Sequence, residues 1–183
     1  NGLAVLYSSL GDQQQALHYF EQALPLQRQV GDKRGEAYTL NNIGQAYSDL
    51  GDQQQALAYY EQALPILRQV GDKRGEATTL NNIGQAYSRL SDQQQALAYC
   101  EQALPILRQV GDKRGEAGTL NNIGKVYSDL GDQQQALAYY EQALPILRQV
   151  GDKRGEATTL NNIGGVYSDL GDQQQALAYY EQA

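Results

Sequence analysis

Residues 41–80 read NNIGQAYSDLGDQQQALAYYEQALPILRQVGDKRGEATTL. The same 40-residue phrase returns at 81–120 and 121–160 and, cut short, at 161–183; residues 1–40 are a more diverged copy. The copies at 41–80 and 121–160 differ only at Gln45/Lys125 and Ala46/Val126. A fixed period of this length marks a repeat architecture, in which each unit is one supersecondary motif that buries its apolar face against its neighbours. Such near-identity means recent duplication or deliberate consensus construction, and the sequence alone does not separate the two.

Each unit reads as two helices. In the copy that begins at Lys73, the residues Ala77, Leu80, Ile83, Gly84, Ala86, Tyr87 and Leu90 recur at spacings of three and four, one face of a first helix. Gly11, Gly51, Gly131 and Gly171 follow that helix where a left-handed residue is wanted, and Ser91 holds the position in the third copy. Asp52, with Gln55 three residues on, is a capping-box variant that opens the second helix. Ala56, Leu57, Tyr60, Ala63, Leu64, Leu67 and Val70 carry that helix's apolar face, Gly71 ends it, and Asp72 caps the next first helix. Pro25, Pro65, Pro105 and Pro145 lie inside the second helices, so a kink or break is expected near each. No segment shows sustained period-two alternation. Neither helix is long or apolar enough to fold alone, so the pairs must stack. The expected fold is all-α: an α-solenoid of about five helix-turn-helix repeats, at 1–40, 41–80, 81–120, 121–160 and 161–183 (partial), forming one domain over 1–183.

Composition removes several functions. The 183 residues carry 14 Lys and Arg against 21 Asp and Glu, a net charge of −7. That balance opposes binding through a nucleic-acid backbone or an anionic membrane surface, so neither partner is expected. No apolar run approaches the roughly 18–20 residues of a membrane span. One Cys and one His give almost no material for a metal site or a nucleophile–base pair, so no catalysis, metal or cofactor is expected. A lone Cys indicates no oxidising compartment, and a cytoplasmic setting is expected. The chain opens at Asn1, without an initiator Met, and reads as a piece of something longer.

The pattern Leu40-x2-Ile43-Gly44-x2-Tyr47, then Ala56-x3-Tyr60, then Ala63, resembles the tetratricopeptide repeat, and the resemblance covers the whole chain. The 40-residue unit is similar to the long repeats of Leu-Gly-Asn-type adaptors and kinesin light chains, and the near-identical copies resemble bacterial, especially cyanobacterial, arrays. Two departures stand out: the prolines fall earlier than the family's closing proline, and Ala4 replaces Gly44. The resemblance implies a right-handed solenoid whose first helices line a concave groove for an extended peptide or a partner helix. At about 8–10 Å between adjacent helices, four steps give a groove of roughly 40 Å, which at about 3.3 Å per residue takes roughly 12 extended residues.

Among near-identical copies, the columns that differ are informative. Three of them are Tyr38/Thr78/Gly118/Thr158, Gln45/Gln85/Lys125/Gly165 and Asp49/Arg89/Asp129/Asp169. Offsets of 0, 7 and 11 residues lie within roughly 40° on a helix, so the three columns share one stripe, which the resemblance places on the groove. Copies then diverged where they meet a ligand. The competing account is free drift of any solvent-facing column, against which the exposed-looking run Gln53-Gln54-Gln55 did not drift. The pairs Asn41/Asn42, Asn81/Asn82, Asn121/Asn122 and Asn161/Asn162 sit inside helices at very roughly 0.5–0.7 kcal/mol each relative to Ala, so something must compensate. By resemblance, Asn42, Asn82, Asn122 and Asn162 hold the backbone of a bound peptide, since an amide donates and accepts at once. The alternative is an inter-repeat hydrogen-bond ladder. Asp49, Asp129 and Asp169 point to a neutral or basic partner segment; Lys125 and Arg89 are too few for a clamp on a chain-terminal carboxylate.

The recurrent pairs Lys33-Arg34, Lys73-Arg74, Lys113-Arg114 and Lys153-Arg154 read as solvated charge paired with neighbours such as Asp72 or Glu76. Tyr47, Tyr87, Tyr127 and Tyr167, with Phe20, Tyr60, Tyr140 and Tyr180, read as packing aromatics. Cys100 is a small buried substitute for one of them and His18 is surface. The expected function is therefore a protein-interaction scaffold. The alternatives are a structural array that self-associates head to tail, and the sensing arm of a larger bacterial signalling protein.

Overall fold

Glycine and aspartate punctuation sets the elements. The computed structural model describes residues 2–183, among which there are ten α-helices and no strand. They fall into two compact units that divide between Asp92 and Gln93. The first holds α1 (Gly2–Ser9), α2 (Gln13–Val30), α3 (Lys33–Asp49), α4 (Gln53–Gln69) and α5 (Lys73–Arg89). The second holds α6 (Gln93–Val110), α7 (Lys113–Asp129), α8 (Gln133–Gln149), α9 (Lys153–Asp169) and α10 (Gln173–Tyr180). The division falls at a turn inside a repeat.

Each turn follows one plan. At the end of α3 the chain enters the left-handed region at Gly51, φ 90°, and the Asp52 N–H bonds the Tyr47 carbonyl at 2.9 Å. The Asp52 side chain then accepts from the Gln55 N–H at 3.0 Å and opens α4. Because the Asp52 N–H already has a backbone partner, the return half of a capping box is not needed there. Asp72 caps α5 the same way, through the Gly75 N–H at 2.9 Å. Ser91 takes the left-handed conformation without being glycine, at φ 62°.

The prolines do not break the second helices: α2, α4, α6 and α8 run unbroken through Pro25, Pro65, Pro105 and Pro145. Pro65 deprives only the Glu61 carbonyl of its donor, and both residues are exposed. The freed carbonyl thus falls on an exposed residue, and the ring lies on the side away from the core.

The core is built where one repeat meets the next. Phe20 and Leu24 of α2 pack with Leu40 and Ile43 of α3 and with Ala63 and Leu67 of α4. In the second unit Tyr140 and Leu144 of α8 meet Leu160 and Ile163 of α9. Gly44 lets its helix approach α4 closely: a Cβ there would lie 2.6 Å from the Tyr60 ring. The second-helix aromatics Phe20, Tyr60 and Tyr140 are buried, whereas Tyr180, at the end of α10, is 44% exposed. The first-helix tyrosines are half-buried and stack on a partner in the next helix, Tyr47 on Tyr59 at 5.5 Å and Tyr127 on Tyr139 at 5.4 Å. Each repeat junction also carries a charge triad. Arg68 and Lys73 both bond the buried Glu76, at 2.9 and 2.8 Å, and Arg28, Lys33 and Glu36 repeat the arrangement. The Lys-Arg pairs are thus engaged, with Arg34 near Asp72 at 3.5 Å and Arg114 near Asp152 at 3.1 Å.

Candidate functional site

In the first unit, consecutive first helices α3 and α5 are neighbours, and a cavity of about 440 Å³ opens between them. Tyr38, Asn41, Asn42 and Gln45 line it from α3; Arg74, Gly75, Thr78 and Asn82 line it from α5. Five of the residues singled out in the sequence therefore meet in one place: Tyr38, Asn42, Gln45, Thr78 and Asn82.

The two members of each Asn pair do different things. Asn41 donates to the Thr79 hydroxyl at 2.8 Å, and that hydroxyl lies 3.0 Å from the Asn41 carbonyl oxygen. Asn121 and Thr159 repeat the contact at 2.8 and 3.1 Å. The first Asn thus ties successive first helices together within each unit, the compensation its poor helix propensity demands. Asn42, Asn82 and Asn162 do not. Asn42 and Asn82 are half-buried, face the cavity and make no hydrogen bond to any described residue. Asn162 is likewise half-buried and unpaired among the described residues.

The variable columns divide as well. Tyr38 is 44% exposed, and its hydroxyl donates to the Asp72 carboxylate at 2.8 Å. That bond, with burial, raises the phenol above its ordinary value, while the Gly75 N–H holds the Asp72 carboxyl below its own. Thr78 turns its hydroxyl to the Arg74 carbonyl, 3.0 Å away, and Thr158 does the same to Arg154 at 2.9 Å. Gln85 is half-buried on α5.

The aspartates of the third column have internal partners, which the sequence did not foretell. Asp49 accepts from Gln45 at 2.7 Å and from Gln13 of the preceding repeat at 3.2 Å. Lys125 pairs with Asp129 at 2.9 Å, and Gln133 reaches Asp169 at 3.5 Å. Arg89 instead donates to the Ser48 hydroxyl at 2.6 Å. This column works at the seam between repeats, outside the cavity lining. Gln53 is also buried, accepting from the Ser48 hydroxyl at 3.0 Å, so only Gln54 and Gln55 of that run are exposed.

Among the described residues, no group of three His, Cys, Asp or Glu side chains is placed to hold a metal, and no helix is long and apolar enough to cross a membrane. Cys100 is buried, which pushes its thiol up to about 12. The site is an amide-rich cleft lined by one cation, Arg74, and by no carboxylate.

Solved structures share this architecture. BtubC (BKLC) from P. vanneervenii superposes with a TM-score of 0.85 at 25% identity, over 98% of this chain and 75% of that one. Kinesin light chain-type TPR-like repeats from Podosopora anserina give 0.79 at 20% identity, over 99% and 89%. A signal transduction ATPase with numerous domains and a tetratricopeptide repeat sensor, from Pyrococcus horikoshii, gives 0.86 at 20% identity, over 99% of this chain and 28% of that one. No curated protein sequence matches. The sequence matches the tetratricopeptide repeat family over residues 1–69, 66–109, 75–149 and 115–183. With that match along its whole length, and with the paired helices and close glycine contact that the repeat requires, the chain belongs to the tetratricopeptide repeat family.

Proposed function

We propose that the chain is a protein-interaction module that binds an extended peptide segment along its first helices. One observation carries the reading: in the first unit's cleft Asn41 is bonded to Thr79 of the next first helix, while Asn42 and Asn82 stand half-buried and unpaired among the described residues. A half-buried amide left without a partner is costly to the fold and favourable for a ligand that supplies one. Asn162, half-buried and unpaired among the described residues, takes the same role in the second unit, and Asn122, Lys125 and Thr158 lie along the corresponding first helices, as Gln85 does in the first unit. The segment this wall fits is neutral or basic. Of the stripe's acids only Asp129 is paired with a cation, Lys125, whereas Asp49 and Asp169 are bonded by neutral Gln amides and keep their charge. Affinity comes from many modest contacts spread along the segment.

A second reading, the sensing arm of a larger signalling protein, draws only on the fold shared with the ATPase's sensor; the bound segment would then be the signal. The test is a displayed library of random linear peptides selected on the full chain. Enriched peptides should bind the Asn42→Ala/Asn82→Ala variant about tenfold or more weakly, since two backbone hydrogen bonds are lost. Undiminished binding by that variant would overturn the reading.

A further inference from the structure

The column 38/78/118/158 gives equivalent steps of the two units different walls. We propose that the cavity beside Tyr38 is an anchor pocket that receives one aromatic side chain of the bound segment. The proposal rests on the groove reading above and adds the chemistry of one partner residue.

Tyr38 is a wall set in advance. Its hydroxyl is fixed to Asp72 at 2.8 Å, and Asp72 is itself fixed as the cap of α5 by the Gly75 N–H at 2.9 Å, with Arg34 at 3.5 Å. The ring nonetheless remains 44% exposed. A ring held by its edge with its surface open loses little freedom when a second ring packs on it. This chain already pairs phenol rings face to face, Tyr47 with Tyr59 at 5.5 Å and 12° between planes.

The remaining walls suit the same occupant. Gly75 lines the cavity with backbone alone. The Thr78 hydroxyl is committed to the Arg74 carbonyl, so its methyl group is the surface it offers. Arg74 adds a planar guanidinium, which packs well on aromatic faces. No carboxylate lines the cavity, and the unpaired amides of Asn42 and Asn82 are at hand for the backbone on either side of an inserted ring. The equivalent step of the second unit has no such wall: Gly118 stands where Tyr38 does, and a Cβ there would meet nothing within 4 Å. The pocket is thus particular to the first unit and fixes the register of the bound segment.

The experiment uses random linear peptides displayed on phage and selected on the full chain, with synthetic copies titrated against the wild type and three variants. Enriched peptides should share one aromatic position. Replacing that residue by Ala should weaken binding about tenfold to wild type, the scale of an aromatic pair plus its burial, and by no more than about twofold to Tyr38→Thr, which carries the residue found at positions 78 and 158. Tyr38→Phe keeps the ring and should keep the preference, so a general loss of folding in Tyr38→Thr would not imitate the result. Enriched peptides without a shared aromatic, or a preference that survives in Tyr38→Thr, overturn the anchor pocket; if Asn42→Ala/Asn82→Ala still weakens those peptides, the groove reading stands. Peptides indifferent to all three variants, or a library that yields none, overturn both.

Discussion

Two adjacent asparagines with the same side chain have opposite expected effects on stability. Asn41 bonds Thr79 across the repeat junction, so Asn41→Ala should cost about 1 kcal/mol by the usual worth of a hydrogen bond, partly offset by the better helix propensity of Ala. Asn42 has no internal partner, so Asn42→Ala should stabilise by about 0.5 kcal/mol from helix propensity alone. Urea unfolding of the two variants side by side checks both; a destabilised Asn42→Ala protein would mean that its amide serves the fold. Gly44 makes the third residue-scale case. A Cβ added there would stand 2.6 Å from the Tyr60 ring and 3.1 Å from the Ala56 carbonyl. Gly44→Ala should therefore cost about 1–3 kcal/mol as overpacking, seen as a lower urea midpoint with an unchanged slope. Ala4 occupies the equivalent position opposite Phe20, so the first repeat has already adjusted to the extra methyl group.

At the scale of the element, the turns and their charges dominate. Ser91 adopts φ 62°, a conformation that costs a side-chain-bearing residue roughly 1–2 kcal/mol. Ser91→Gly, the residue of the other copies, should raise the thermal midpoint, by up to about 1 kcal/mol of stability once glycine's greater unfolded freedom is counted; an unchanged or lower midpoint would show that the serine side chain contributes something glycine cannot. The charge triads predict a pH dependence. Bonding by Lys33 and then Arg28 holds the Glu36 carboxyl below its ordinary 4.5 despite burial. At Glu76 and Glu116 burial pushes upward, but the Lys and Arg partners outweigh it and the net shift is again downward. A carboxyl depressed in the folded state binds fewer protons than in the unfolded state. Its stabilisation is complete above about 4.5 and is lost as pH falls through the depressed folded value. The urea midpoint should therefore hold steady near neutrality and fall in acid, and Glu76→Gln should lower the neutral plateau while making the acid fall shallower.

For the molecule as a whole, stability comes from like junctions added in series, so opening should begin locally. Cys100 reports on this in the second unit. It packs with Leu104 and Leu120, is 1% exposed, and burial pushes its thiol up to about 12. At neutral pH a thiol reagent should modify it only after the surrounding core opens, with a rate that climbs with urea. Fast modification in the absence of denaturant would show that this part of the core is open in the native state.

The 40-residue period, the spacing of apolar residues and the Gly and Asp turn signals fixed the helices, their ends and the family without any coordinate, because each rests on local geometry that repeats in every copy. The sequence also brought Tyr38 and Gln45 onto one helical stripe, with Thr78 at the equivalent place in the next copy, and the resemblance set Asn42 beside them. It misjudged what depends on the surroundings. Whether a proline breaks a helix turns on where the ring and the freed carbonyl fall, and Pro65 and Glu61 both fall on the exposed side. What Asp49 or Asp129 offers a ligand turns on partners as distant in sequence as Gln13, whose amide occupies a carboxylate oxygen, or as near as Lys125, which cancels the charge. Which Asn of a pair is engaged depends on Thr79, 38 residues away, so tertiary packing alone separated Asn41 from Asn42. Period and helix phase are properties of the chain; hydrogen-bond satisfaction is a property of the packed neighbours.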